Sequence, residues 1–274
     1  MVPLCLQAFV MKLKLCYAII LITTVCISAH GQGMTLGEVV VVSTSTLKKN
    51  SNAEAFRSYV NTEIAQKIEK NNPSVSIHAF HADRGKRKGE LLLVFGADKS
   101  STRESFATGS PFRNEVIGGS GKKPSDFLSN THTYTEYRLI GADKFKTRPD
   151  IGILGIHYIK VKKEKAAEFE KFVVEKLHPA VGNVLPDMHL MYYKAVAGDN
   201  TPSYITIFAI TSVEARHKYW PEGAPETKPL KDAFKPLEGL AKELSAYLVE
   251  GSYLEVGKGG AAIFESKEWT DFIY

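Results

Sequence analysis

Histidines and tyrosines set into apolar runs are the side chains of this sequence best placed to do chemistry. The chain has eight histidines. Imidazole titrates near neutrality and ligates metals, so it is the natural acid, base or iron ligand. His157 and His189 each lie in a strand-like run with aromatic neighbours, Tyr158 and Tyr192. By alternation His189, Met191 and Tyr193 share one strand face, and His157 shares a face with Ile159. An inward histidine beside Tyr192 or Tyr204 suits an aromatic substrate or a haem iron; the competing reading is a core histidine bonded to backbone or water. A second group, His217-Lys218-Tyr219-Trp220-Pro221-Glu222-Gly223, falls where a helix gives way to a loop, a place where binding residues collect. Trp220 there is either a cavity lid or a plug packing the loop onto a sheet. His178-Pro179 reads as structural. The chain lacks a phosphate-cradling glycine loop, HExxH, GxSxG and the oxygen-ligand spacing of a calcium loop. No metal site is expected.

Composition narrows the classes further. Lys12 and Lys14, an uncharged run from Leu15 to Ile27 and the small residues of Ala29-His30-Gly31 have the pattern of a cleaved secretory signal over 1–31. The expectation is an exported protein, periplasmic or extracellular, with no membrane association once the leader is removed. Cys5, Cys16 and Cys26 all lie in that segment, so the remainder has no cysteine for disulfides, thiolate metal sites or a thiol nucleophile. The formal charge of +5 falls to +3 without the two leader lysines. Basic residues gather in loops (Arg84-Gly85-Lys86-Arg87-Lys88, Lys122-Lys123) rather than along a face, which argues against nucleic acid.

The elements that must position these residues are marked by an internal repeat. Shifted by 113 residues, Ala53, Phe56, Val60, Pro73, Ala82, Gly85, Phe95 and Arg103 fall on Ala166, Phe169, Val173, Pro186, Ala195, Gly198, Phe208 and Arg216. Each copy opens with a β-branched run (38–45, 151–161) and continues with an apolar stripe spaced by four: Phe56, Val60, Ile64, Ile68 in one, Phe169, Val173, Leu177, Val181 in the other. Two further strands follow (75–82 and 91–96; 188–195 and 204–210). Then come a helix start of capping-box form (Ser101, Glu104; Thr211, Glu214) and a longer connection, in which Leu230, Phe234, Leu237, Leu240 and Leu244 mark a helix that Pro236 kinks or divides. Closing strands are expected at 133–140 and 247–256. This gives repeats at 36–141 and 150–257, joined by a linker over 141–150, and a tail at 258–274 released by glycines. In the alignment His157 falls on Thr44, His189 on Ser76 and His217 on Glu104, so any histidine site is asymmetric, and the second copy is the better place for it.

The order β-α-β-β-α-β is the ferredoxin-like unit, an α+β fold whose antiparallel sheet carries helices on one face and needs cover on the other. Two copies supply that cover to each other, as an intrachain barrel. In this arrangement the chain resembles the dimeric α/β-barrel superfamily, and Ile156-His157-Tyr158-Ile159-Lys160-Val161-Lys162 through Glu168-Phe169 resembles the opening strand and helix of NIPSNAP-type modules. His157 stands where an arginine is common in such strands. The superfamily includes cofactor-independent monooxygenases, haem-dependent enzymes and small-ligand binding proteins, so the resemblance implies a cavity between sheet and helices or inside the barrel. Three functions follow as expectations. The preferred one is binding of a small apolar or aromatic ligand, at a site drawn from His157, His189, Tyr192, Tyr204, His217 and Trp220, without a cofactor. The second is a monooxygenase-like or haem-dependent enzyme using a second-copy histidine. The third is a structural or protein-interaction module. Since the fused copies satisfy each other's sheets, monomer and homodimer are both compatible with the sequence.

Overall fold

The computed structural model describes residues 34, 36–85, 87–104, 123–142, 151–181, 188–199, 203–221, 227–249, 255–256, 262–263 and 269–273. The segment read as a leader (1–31), Pro186 and most of the segment read as a linker lie outside them. The first strand, β1 (Val39–Leu47), leads into helix α1, which runs over 53–71 with a π-turn at Tyr59–Ile64. Asn52 caps it, its side-chain oxygen accepting from the amides of Glu54 and Ala55. The hairpin β2 (Val75–Gly85) and β3 (Leu91–Ala97) follows, then the short helices α2 (Ser100–Glu104) and α3 (Pro124–Phe127) and the long strand β4 (Leu128–Ala142).

The same sequence of events recurs. Strand β5 (Ile153–Ile159) precedes helix α4, which covers 166–181 with a π-turn at Val173–Leu177. Strands β6 (Met188–Gly198) and β7 (Tyr204–Ile210) form the next hairpin; α5 (Val213–Tyr219), α6 (Lys228–Phe234) and α7 (Glu238–Tyr247) come after it. The helix cap of α5 is Ser212, whose Oγ accepts from the Ala215 amide, one residue beyond the Thr211 that the capping-box pattern selects. A single 3₁₀ turn, Lys235–Leu237, divides α6 from α7 at Pro236, as expected from the proline.

With a further strand, β10 (Trp269–Ile273), one antiparallel sheet closes on itself in the order β4-β1-β3-β2-β10-β5-β7-β6, with β6 returning to β4. Each run of four has the strand order of a ferredoxin-like sheet. The closing strand of the second run is β10 (Trp269–Ile273), which pairs with both β2 and β5. This corrects the sequence expectation for 247–256. Tyr247 is the last residue of α7, Leu248 makes a single bridge to Val161, and Glu255–Val256 (β8) pairs only with Ala262–Ile263 (β9). The tail expected to be released thus contains the strand that shuts the barrel. The ladder explains the error. Thr270 stands to Ile156 as Thr135 stands to Val42, so the second run places extra chain ahead of its fourth strand, and the offset that aligns the earlier elements fails there.

Packing falls into three layers. Inward side chains of alternate strand positions fill the barrel, among them Val40, Val42, Phe80, Leu92, Tyr137, Ile156, Met191, Tyr193 and Ile207. Outward positions of β1–β3 pack under α1, using the predicted stripe of Phe56, Val60, Ile64 and Ile68. Outward positions of β5–β7 pack under α4, α6 and α7, again through the predicted stripe. Gly85 and Gly198 both hold positive φ (99° and 101°) at the ends of β2 and β6. At Gly198 a Cβ would lie 2.1 Å from the Tyr134 carbonyl oxygen, so a glycine is needed on both counts.

Candidate functional site

Strand register distributes the six expected site residues over both faces of the second run. Counting from buried Ile153 and Ile159, His157 points outward, toward the helices. Its ladder partner is Thr206, whose own partner on the other side is Tyr192, which pairs in turn with Gly141. Cross-strand partners share a face, so His157, Thr206 and Tyr192 form one polar row on the outer face of the sheet. Tyr204 lies one row away, opposite Ile159 and Lys194. His189 falls on the inward set with Met191 and Tyr193, at half-burial; it does not belong to the outer row. His217 is exposed on α5. Trp220 is half-buried and packs against the helix–sheet core that contains Phe208. The structure therefore groups His157 and Tyr192, sets Tyr204 one row away, leaves Trp220 in the same helix-side core, and separates His189 and His217 from the group.

Thr206 is the member that sequence reasoning missed. It is fully buried (0%), and its hydroxyl oxygen is sealed from solvent without a hydrogen-bond partner. A signal for it exists in the sequence: in Tyr204–Ile210, a run buried at every position, it is the only hydroxyl-bearing aliphatic residue. An unmet hydroxyl costs stability, and a site that retains one is a candidate for an external partner.

The surroundings are aromatic and tightly set. Phe208 lies over the Gly155 row, with its ring 4.9 Å from that of His157. His178 of α4 meets Tyr192 edge-on at 6.4 Å. At the neighbouring Gly141 a Cβ would meet Val173 Cγ1 tightly, at 3.3 Å, and His178 Cβ at an ordinary contact distance of 3.8 Å. In the flanking row, Tyr204 Oη and Lys194 Nζ both donate to Glu170 Oε1 at 2.7 Å, which anchors α4 to the sheet. Burial, with Glu170 as hydrogen-bond acceptor, raises the Tyr204 phenol above its ordinary range, so it stays protonated as a donor.

Burial also pushes the His157 imidazole down to about 3. At neutral pH it is uncharged, so one ring nitrogen can accept a hydrogen bond or ligate a metal while the other carries N–H, and so low a value makes it a poor general base. The row can thus present an acceptor (His157), a hydroxyl of either sense (Thr206) and aromatic walls to a small molecule. Among the described residues no three His, Asp or Glu side chains gather closely enough to share a metal ion, and no helix is long and apolar enough to cross a membrane.

The first run carries nothing equivalent. Its ladder places Ser43, Leu93 and Ala79 in the corresponding row, since Val42 and Ile156 occupy matching places relative to Val94 and Ile207. The residue matching His157 is accordingly Ser43; the ungapped alignment, which selects Thr44, is out by one residue in this strand. The two runs therefore differ at all three members of this row.

No family model matches the chain, and no curated protein does. Solved structures resemble it at low identity. A candidate monooxygenase from Lactobacillus acidophilus shares 12% identity with a TM-score of 0.49, covering 73% of this chain and 87% of that one. A ferredoxin-fold protein from Listeria monocytogenes, related to antibiotic biosynthesis monooxygenases, shares 12% with a TM-score of 0.39, covering 89% and 95%. A heme-degrading enzyme from the same organism shares 13% with a TM-score of 0.37, covering 86% and 99%. The likeness is one of fold, and the ferredoxin-like assignment rests on this chain's own strand order.

Proposed function

We propose that the chain is a tandem pair of NIPSNAP-like ferredoxin modules, exported by its leader, whose second module binds a small apolar or aromatic molecule. The ligand would lie between sheet and helices, over the row His157–Thr206–Tyr192, and carry one group that hydrogen-bonds to Thr206 or His157. The Thr206 hydroxyl carries this reading: it is sealed in an otherwise apolar strand, and a bound polar group supplies the partner that the fold does not. The neutral imidazole beside it favours binding over acid–base catalysis. It also makes His157 the residue in this row that would hold haem, through a ring nitrogen on its iron; haem would bring iron redox chemistry to the site.

Thr206→Val tests the reading because its two consequences have opposite signs. Valine keeps the shape and removes an unmet hydroxyl, so unfolding free energy should rise by about 1 kcal/mol or more in urea denaturation. Saturable binding of the aromatic dye 8-anilinonaphthalene-1-sulfonate should weaken at the same time. A valine variant that is less stable than the parent would mean the hydroxyl is already bonded within the fold, and the proposal would fall. Titration with haem separates the cofactor alternative: a Soret band lost in His157→Phe supports an iron ligand, and no uptake leaves the organic ligand.

A further inference from the structure

Helix α5 and Trp220, which pack in the helix–sheet core of the second run, are held by residues from the other half of the barrel. At the β2–β10 seam, Ala82 pairs with Phe272 and Arg84 with Asp271, so Asp83 is an extra residue in β2, a bulge. Bulges re-aim a side chain out of the regular alternation. Asp83 meets Arg216 of α5, whose Nη1 donates to Oδ1 at 3.1 Å and to Oδ2 at 2.9 Å. Arg216 is almost entirely buried (2%), and the pair is little screened by salt. The next residue, Arg84, donates through Nη1 to the Trp220 carbonyl oxygen at 3.1 Å. Two successive residues of β2 thus grip both ends of the last turn of α5 and the tryptophan that follows it.

The opposite seam shows what is particular here. Glu136 pairs with Ala197 and Tyr137 with Ala195, which makes Val196 the bulge residue of β6, in the place that Asp83 takes in β2. There, Arg103, the counterpart of Arg216, pairs with Glu136 on β4 instead. Both seams are bulged, and at each an arginine following the third strand of a run pins a strand; Arg216 does so across the two halves, whereas Arg103 and Glu136 both belong to the first. Among the described residues, only the β2 seam has the second contact, to the backbone of a tryptophan in the helix–sheet core of the second run.

We propose that Asp83 and Arg84 are positioning residues for the second-half site: from the first half they hold α5 and Trp220 in place as its wall, and their release opens it. This rests on the site proposed above. The chain has two tryptophans, so a Trp269→Phe background isolates the Trp220 signal. In that background Asp83→Asn and Arg84→Gln should each raise acrylamide quenching of Trp220 roughly twofold or more. Each should also speed release of 8-anilinonaphthalene-1-sulfonate by about tenfold in stopped flow, with a smaller change in its association rate. Arg103→Gln, which breaks the opposite pin, should alter neither. The exchanged pair Asp83→Arg with Arg216→Asp should restore the parental quenching. Unchanged quenching and release in both β2 variants would overturn the proposal, as would equal effects from Arg103→Gln, which would mean general loosening of the barrel. Quenching needs no ligand. Failure of the parent to bind the dye would therefore defeat the site alone, while quenching would still decide whether β2 holds the wall.

Discussion

At the residue scale, the sheet ladder sorts side chains that the sequence presents as equals. His157 and His189 both sit in strand-like runs next to a tyrosine, yet register sends one toward the helices and the other into the barrel. The sequence shows alternation within a strand; which parity faces the helices depends on pairing partners far along the chain. Thr206 was harder to see because a single threonine in a β-rich run is ordinary, and only complete burial without a partner makes it unusual. His157 has a measurable consequence. Its folded-state value, about 3, lies below its ordinary 6.5, so between these values the unfolded chain binds more protons than the folded one. Its contribution to stability is fully present above 6.5 and is lost as pH falls, by at most about 1.4 kcal/mol per pH unit, until about pH 3. Urea unfolding at about pH 5 and about pH 7.5 should show this slope in the parent and a clearly shallower one in His157→Gln. Equal slopes would assign the acid sensitivity elsewhere.

At the scale of elements, the stripes spaced by four locate α1 and α4 correctly, and each places its apolar residues in the core beneath it. Hidden in those stripes is a π-turn in each helix, at Tyr59–Ile64 and Val173–Leu177, positions that the 113-residue offset superposes almost exactly. In α1 this turn carries Asn61, whose amide both accepts from the Ala79 N–H (2.7 Å) and donates to the Ala79 carbonyl (3.0 Å). Strand β10 reaches β2 only over residues 81–85, so at Ala79 a side chain takes the part of a missing strand. In the second run no such device is needed, because β4 extends to pair Gly141 with Tyr192, and Val174 occupies the place of Asn61, exposed. Asn61→Ala should cost about 2 kcal/mol of unfolding free energy, because Ala79 is fully buried and both its backbone groups lose their partner. Asn61→Ala with parental stability in urea would show that other groups satisfy that edge.

For the whole molecule, the ferredoxin-like order of strands and helices was legible in the sequence, and the closure of the sheet was not. The run 247–256 is tyrosine- and valine-rich and reads as a strand, but Tyr247 belongs to the helical face that stacks on Phe172 (5.2 Å). The strand that does close the barrel is only five residues long and follows a glycine-rich stretch, a context that reads as a tail. Removing the chain from Trp269 onward should leave β2 and β5 with open edges, which associate with other chains. Light scattering after size-exclusion chromatography should then show oligomers or aggregate where the parent is uniform. A truncated chain with the parent's size and melting temperature would show that β10 is dispensable.

Closure by β10 also has a consequence in time. Its partner β2 is made some 190 residues earlier, and its other partner, β5, more than 100 residues earlier. On a ribosome adding roughly 5–20 residues each second, the β2 edge therefore waits many seconds before the strand that covers it exists. During that interval Asp83 and Arg84 have already been made, and the helix they hold becomes available before β10 does. The grip on α5 is thus in a position to form ahead of the seam it borders, and to hold the two halves together with a gap between β2 and β5 that β10 then fills.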